Sequence, residues 1–402
     1  MATEKVADTN KNILSIFMAI FQKYSMYFFL VIIMLAFQIL SNGILLKPLN
    51  ITNIILQNSY ILILSIGMVI LIILNEIDLS VGSITAFVGA LSAILSIKMG
   101  LPTILSVIIC LIVGAAIGAF QGFWVSIVKV PSFIATLAGM LIFRGLTIVV
   151  LDGKSLAPYP KSFQTISSGF IPDIFNGGSI HLFTLVISAV IAVVYVLSAV
   201  HSRKKKVLSS SPVESHFLFI AKNVLVVIIL GLFAYAMAQY EGFPNVLIIL
   251  SVLILVYRFI TNQTTIGRHV YATGGNEKAA ELSGINTKKI KFLMFVNMGL
   301  LSAVAGIIFS ARLNAATATA GNGFELDAIA ACYIGGASAS GGIGTVLGAI
   351  IGGLVMGVLN NGMSLLGIGV DWQQAIKGFV LLLAVAFDIY NKNKSTGTGI
   401  NK

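Results

Sequence analysis

Apolar runs close to the roughly 20 residues that cross a bilayer as a helix recur along the whole chain. They fall at 26–46, 53–74, 79–97, 103–127, 132–151, 181–200, 217–238, 245–260, 291–311, 326–340, 343–362 and 373–390. The pattern predicts an all-α, polytopic integral membrane protein of about twelve (10–12) spans. The run at 326–340, "AIAACYIGGASAS", turns small and glycine-rich, which predicts a broken or half helix there. Two connections exceed turn length. Residues 152–180, with Pro158, Pro160 and Pro172, predict an irregular cap. Residues 261–290 contain "NEKAAELSG". There Asn276 is placed to cap a helix, Glu277 faces its positive end, and Gly284 supplies the stop. A two-turn helix between two clean signals reads as a docking element rather than a mere connector. The organisation expected is a tail at 1–25, a transmembrane domain at 26–390 and a tail at 391–402.

Composition supports a membrane class and removes others. The chain is 57% hydrophobic and 10% charged, with mean hydropathy +1.00, against about 25% charged in soluble domains. The net charge of +11 would suit nucleic acid, but basic residues in a membrane protein mark the cytoplasmic side. With the N-terminus inside, most of the 25 lysines and arginines fall in inner segments, the outer ones holding Lys47, Lys98, Lys154, Lys161 and Arg312. That asymmetry favours an even number of spans with both termini cytoplasmic, the lipid bilayer as a partner and no nucleic acid. Residues 1–25 lead into an apolar stretch too long for a cleaved signal peptide, which reads as an uncleaved first helix. Cys110 and Cys332 sit singly, and His181, His201, His216 and His269 show no ligand spacing. Neither a disulfide framework nor a metal or cofactor site is indicated.

The chain repeats itself. "GAAIGAFQG" at 114–122 and "GTVLGAIIG" at 344–352 share G-x3-G-A-x2-G, a ladder of small residues that permits close helix contact. Upstream stand "EIDLS" from Glu76 and "ELDAI" from Glu325; downstream stand "FRG" with Arg144 and "IKG" with Lys377. Each half therefore reads acid-x-acid, glycine ladder, in-span cation, with the second acid pair closer to its ladder. By the charge-derived topology the two ladders run in opposite senses, so the halves, about 53–151 and 291–390, form inverted repeats with broken helices. Residues 181–238 are extra helices. Such repeats place the pathway at their interface, and the arrangement points to transport.

Intramembrane charges need a reason, since a carboxylate at a bilayer centre costs about 2.5–3.5 kcal/mol on insertion scales. Glu76 and Asp78 stand too close in sequence to share a helix face, so they mark a helix break, with Asp78 or Ser80 capping the next helix. Buried charges are usually paired, which gives two expected pairs: Glu76 or Asp78 with Arg144, and Glu325 or Asp327 with Lys377. The first requires a broken span, because the topology places its acids inward and Arg144 outward. Polar residues on the inner faces of both halves, Asn75, Ser80, Gln121, Asn360, Asn361, Trp372 and Gln373, are candidates for the pathway; Trp372 suits an interface anchor equally well.

The chain carries no motor of its own. The string "DGKS" at 152–155 lacks the upstream glycine of a phosphate-binding loop, Ile148 standing in its place, and no nucleophile–base constellation appears. The choice is between a secondary transporter and the membrane subunit of a pump powered elsewhere. Here "NEIDLSVGS", "KVPSFIATLAGMLIFRG", "GRHVYATGGNEKAAELSGI", "AGNGFELDAIAACYIGG" and "NNGMSLLGIGVDWQQAIKG" resemble the permease subunits of monosaccharide-importing ABC transporters. That group includes ribose, xylose and multiple-monosaccharide permeases. The likeness runs from about 54 to 390 outside the variable 155–220 region, and the C-terminal run looks closest to the multiple-monosaccharide branch. The resemblance implies a non-catalytic permease in a homodimer on two ATP-binding subunits, fed by an extracytoplasmic sugar-binding protein in the bacterial cytoplasmic (inner) membrane. It implies no cofactor. It makes Asn276–Gly284 the coupling helix, with Asn276, Glu277, Ala279, Ala280, Glu281 and Gly284 meeting the ATPase and Lys278 standing where the family has an acid. The alternatives are an ion-coupled secondary transporter and an ABC permease for another small polar solute, such as a branched-chain amino acid or nucleoside.

Overall fold

The computed structural model describes residues 25–175, 178, 180–209 and 215–397; the expected tail at 1–25 lies outside them except for its last residue. The described residues are helical throughout, with two isolated bridges and no strand. Among the described residues, nine helices are long and apolar enough to cross a membrane. They are α2 (Pro48–Ile73), α3 (Val81–Ala93, extended by a π-helical turn to Lys98), α4 (Thr103–Gly122, extended likewise to Ile127), α5 (Ser132–Leu151), α7 (Leu182–Leu208), α8 (His216–Ala238), α9 (Asn245–Gln263), α12 (Thr287–Leu313) and α14 (Val346–Leu365). The other three expected spans differ in form. The first is the short α1 (Ser25–Leu40), the run at 326–340 is the eleven-residue half helix α13 (Phe324–Ile334), and 373–390 forms part of α15 (Val370–Gly397). Three further helices lie in the long connections: α6 (Lys161–Ser168), α10 (Thr265–Gly275) and α11 (Glu277–Leu282).

The two repeats match element by element, α2–α5 against α12–α15. Each opens with a long helix that ends at an asparagine in the left-handed region, Asn75 at φ +61° and Asn314 at φ +55°, a conformation that terminates helices. A short non-helical break follows, then a helix carrying small residues, the ladder helix and the cation helix. The second acid pair stands nearer its ladder because α13 is a half helix followed by the loop 335–345, where repeat 1 has the full-length α3.

The repeats interlock rather than lie side by side. Ladder helix α4 packs on α12 of the other repeat, and ladder helix α14 packs on α2; α3 likewise packs on α12, and α13 on α2. A Cβ on Gly299 would lie 2.2 Å from the Gly114 carbonyl oxygen, and one on Gly348 would lie 2.2 Å from that of Gly335. These approaches bring backbones together and replace the hydrophobic drive that lipid does not supply. The core built around them holds Ile63, Met68, Leu71, Phe295, Met298 and Leu301, each at most 1% exposed. The extra helices α7 and α8 pack on one another at the margin, where α8 also touches α2.

On one face the segment before α6 is pinned across the repeats. The Tyr159 amide donates to Asn314 Oδ1 (2.8 Å), its hydroxyl donates to the Gly89 carbonyl (2.9 Å), and its ring stacks on Phe163. Burial pushes the Tyr159 phenol up to about 12, so it remains a donor. The expected irregular cap thus contains an ordered helix.

Candidate functional site

Two polar stations occupy opposite ends of the repeat interface. The first is the break at 74–80 after α2. Asp78, 1% exposed, accepts from the Ser80 amide (2.8 Å) and from the Ser80 hydroxyl, and Gln121 of α4 donates to Ser80 Oγ (2.6 Å). Ser132 and Thr136 of α5 accept from the amides of Ile77 (3.3 Å) and Leu79 (3.1 Å). The amides of Leu74, Asn75 and Glu76 still bond back into α2, and those of Ile77 and Leu79 are satisfied by α5. The expectation that Asp78 or Ser80 caps α3 is corrected. The Ser80 side chain caps nothing, being turned back to Asp78, whose carboxylate serves the residue before the helix.

Glu76 does not meet Arg144. Its carboxylate lies 2.8 Å from the Lys291 ammonium in the second turn of α12, and Lys291 also reaches Glu277 of α11 at 2.9 Å. The reason is axial distance. Ser132 sits beside the break, and Arg144 stands twelve residues further along α5, about 18 Å at 1.5 Å per residue. Arg144 instead donates to the Ala320 carbonyl (2.6 Å), in the break of the other repeat, with Glu325 close enough to feel its charge.

The connection at 264–286 folds against this station. The Asn276 side-chain Oδ1 accepts from the Ala279 amide (3.0 Å), and Gly284 takes φ +85° while the Ile285 amide returns to the Ala280 carbonyl (3.0 Å). The capped, six-residue α11 buries Ala280 and presents Asn276, Glu277, Lys278, Ala279 and Glu281 outward, with Leu282 91% exposed. Glu281 accepts from Thr287 Oγ1 (2.7 Å). Ahead of it, α10 was not foreseen. Tyr271 on α10 donates to the Gly344 carbonyl (2.7 Å), and burial pushes its phenol up, keeping it a donor. A cleft of about 510 Å³ opens beside α11, bounded among others by Glu76, Lys129, Ser132, Lys288 and Lys291.

The second station lies at α13. Lys377 stands 2.9 and 3.1 Å from the two carboxylate oxygens of Asp327, side chains 22% and 4% exposed. Of the two acids expected for Lys377, Asp327 is the one that forms the ion pair. Asn360 hydrogen-bonds Asp327. A cavity of about 200 Å³ adjoins, bounded by Asn322, Glu325, Asp327, Gln374 and Lys377.

The seven pathway candidates do not converge on one chamber, and none bounds either cavity. Asn361 is used up in a reciprocal amide pair with Asn50 (2.9 and 3.0 Å) that joins α14 to α2. Gln373 donates to the Ile368 carbonyl (2.8 Å) and closes the turn between α14 and α15. Gln121 and Ser80 serve Asp78, Asn75 makes the helix end, and Asn360 serves Asp327. Trp372 is 71% exposed at the start of α15, where an interfacial anchor belongs. Trp372→Phe is therefore expected to leave solute uptake within about twofold of the parent, since surface changes rarely exceed ±0.5 kcal/mol; an uptake assay in proteoliposomes checks it, and a loss beyond tenfold returns Trp372 to the pathway.

Comparison with known proteins fits this architecture. The family described as "Branched-chain amino acid transport system / permease component" matches residues 50–385. The chain is 40% identical over 374 residues to the xylose transport system permease protein of Haemophilus influenzae, covering 93% of this chain and 97% of that one. It is 38% identical over 374 residues to the corresponding protein of Escherichia coli strain K12, covering 93% of each. Against the ribose import permease protein of Haemophilus influenzae it is 37% identical over 341 residues, 85% of each chain. No solved structure matches.

Proposed function

The chain belongs to this family of transport-system permease components, a multi-pass membrane protein, and on that premise we propose that it is the membrane-spanning subunit of an ATP-driven importer of monosaccharides, xylose or several sugars. A separate ATPase, in two copies, supplies the energy, a sugar-binding protein delivers the solute from outside, and a second permease copy completes the pathway. The chain itself catalyses nothing. The observation that supports this reading best is α11. A six-residue helix capped at both ends, with an apolar Leu282 held in the open, is built to be gripped by another protein. An ion-coupled carrier has no use for it.

The test is xylose uptake by proteoliposomes containing the chain with its ATPase and binding protein. Uptake that requires internal ATP and ignores a protonophore supports the proposal. Uptake abolished by the protonophore and indifferent to ATP assigns the buried acids to ion coupling instead. Uptake of leucine or a nucleoside in place of xylose changes the cargo alone.

Orientation carries its own prediction. Both termini and α10–α11 are cytoplasmic in this reading, and the cap at 152–180 faces out. Ser168 and Ser209 are exposed, at the ends of α6 and α7. Cysteine at Ser168 is expected to react with an impermeant thiol reagent applied to intact cells, and cysteine at Ser209 only after the membrane is opened. Labelling of both from outside would sink the orientation.

A further inference from the structure

The bridge from Glu76 through Lys291 to Glu277 joins the repeat-1 break to two elements far downstream in sequence: the second turn of α12 and the N-terminus of α11. Lys291 is 14% exposed and Glu76 12%, whereas Glu277 is 45% exposed. One end of the bridge is therefore sheltered and the other stands at the surface, on the element offered to the ATPase. Exposed ion pairs contribute little; a sheltered cation holding two carboxylates is geometrically committed.

What lies beyond each end matters. Glu76 begins a segment whose next amides are tied to α5 at Ser132 and Thr136 and whose Asp78 is tied through Ser80 to Gln121 on α4. Any displacement of Glu76 is thus felt by both. On the other side, α10 is held to both repeats by neutral contacts: Tyr271 on the Gly344 carbonyl of repeat 2, and Gly274 so close to the end of α2 in repeat 1 that a Cβ would lie 1.7 Å from the Ile73 carbonyl oxygen. Helix α10 thus grips both repeats by backbone and hydroxyl contacts, whereas α11 reaches the repeat-1 break through the charges of the Lys291 bridge. Lys129, Lys278, Lys288 and Glu281 also bound the cleft.

We infer that Lys291 is a positioning residue that transmits displacement of α11 to the repeat-1 break, so that its ammonium, alongside the packing of α10 on the end of α2, couples the ATPase-docking element to the α4–α5 side of the pathway. This rests on the permease reading above. It adds to that reading a specific route by which force reaches one repeat.

The experiment compares Lys291→Met and Lys291→Arg in the full complex reconstituted with xylose as probe, reading uptake, stimulation of ATP hydrolysis by xylose-loaded binding protein, and copurified ATPase subunit. Lys291→Met is expected to lower uptake at least about tenfold, the range of ordinary coupling free energies, and to remove the stimulation, while the ATPase subunit copurifies in parental amount. Lys291→Arg, which keeps the charge, is expected to restore most of both. Adding Glu76→Gln to Lys291→Met is expected to cost little more, because residues acting as a unit are not additive. Parental uptake by Lys291→Met overturns the inference. So does a loss of uptake accompanied by equal loss of ATPase subunit, which would make Lys291 a brace for α11 only. Should the parental complex itself take up xylose without ATP, the permease reading fails first and the relay falls with it.

Discussion

Gly284→Val is expected to abolish transport and release the ATPase subunit, with docking of the binding protein retained. This follows from backbone conformation rather than crowding, for a Cβ at this position would meet nothing within 4 Å. Gly284 holds φ +85°, a region that costs a non-glycine residue of order 1–3 kcal/mol and a β-branched one most. The strain falls on an element that cannot absorb it. Helix α11 has six residues, far below the length at which helices hold themselves, and it depends on its caps: Asn276 at one end, and at the other the return bonds of Gly284 to Glu281 (2.9 Å) and Ile285 to Ala280 (3.0 Å). A conformational cause predicts an order. Asparagine, which tolerates the left-handed region, is the mildest replacement at Gly284, alanine intermediate and valine the worst. Xylose uptake and copurification of the ATPase subunit measure it. Normal uptake by the valine variant removes the docking role from α11.

Breaking the Lys377–Asp327 pair is the larger effect on stability. With Asp327 only 4% exposed, Lys377→Met strands a carboxylate, at roughly 3–5 kcal/mol. A thermal unfolding cycle on the purified protein in detergent checks this. The single changes Lys377→Met and Asp327→Asn are each expected to destabilise strongly and the double far less than their sum. Glu325→Gln with Lys377→Met should instead add to within about 0.5 kcal/mol, because both short contacts of the Lys377 ammonium are to Asp327. Additivity in both cycles would reduce Asp327 to a polar residue of the α13 first turn.

What could be foreseen divides by range. The spans follow from length and hydropathy, and α11 follows from three local signals, Asn276, Glu277 and Gly284, all within one stretch of nine residues. The repeat was legible because its acids, ladders and cations recur in order. The pairing of Lys377 was partly legible, since α13 and α15 belong to one repeat. The partner of Glu76 was not, because Lys291 reaches it only once α12 of the second repeat crosses the first, and no local pattern encodes that crossing. The same crossing gives Arg144 to Ala320 and Asn361 to Asn50. A clue to Lys291 existed: it is the last of three cations in "TKKIK" and the one that enters the span, a position where an ammonium sits half out of water. Helix α10 escaped because "TIGRHVYATGG" has a glycine near each end and only a short apolar face; Thr264 caps it by accepting from the Gly267 amide.

The interlocked ladders also constrain how the chain is made. The small-residue face of α4 is complete once Gly122 has left the ribosome, yet the backbone it fits, around Gly299 on α12, lies some 180 residues downstream. At roughly 5–20 residues per second this is about 10–40 s of synthesis. For that interval α2, α3 and α4 sit in the bilayer as inserted helices whose best partner does not yet exist, and lipid fills the Gly114–Gly118 groove that Gly299 will later occupy. Assembly of the first repeat is therefore completed by the second, after every span between them has been threaded. The nascent half-protein is the stage at which membrane quality-control proteases have most to recognise.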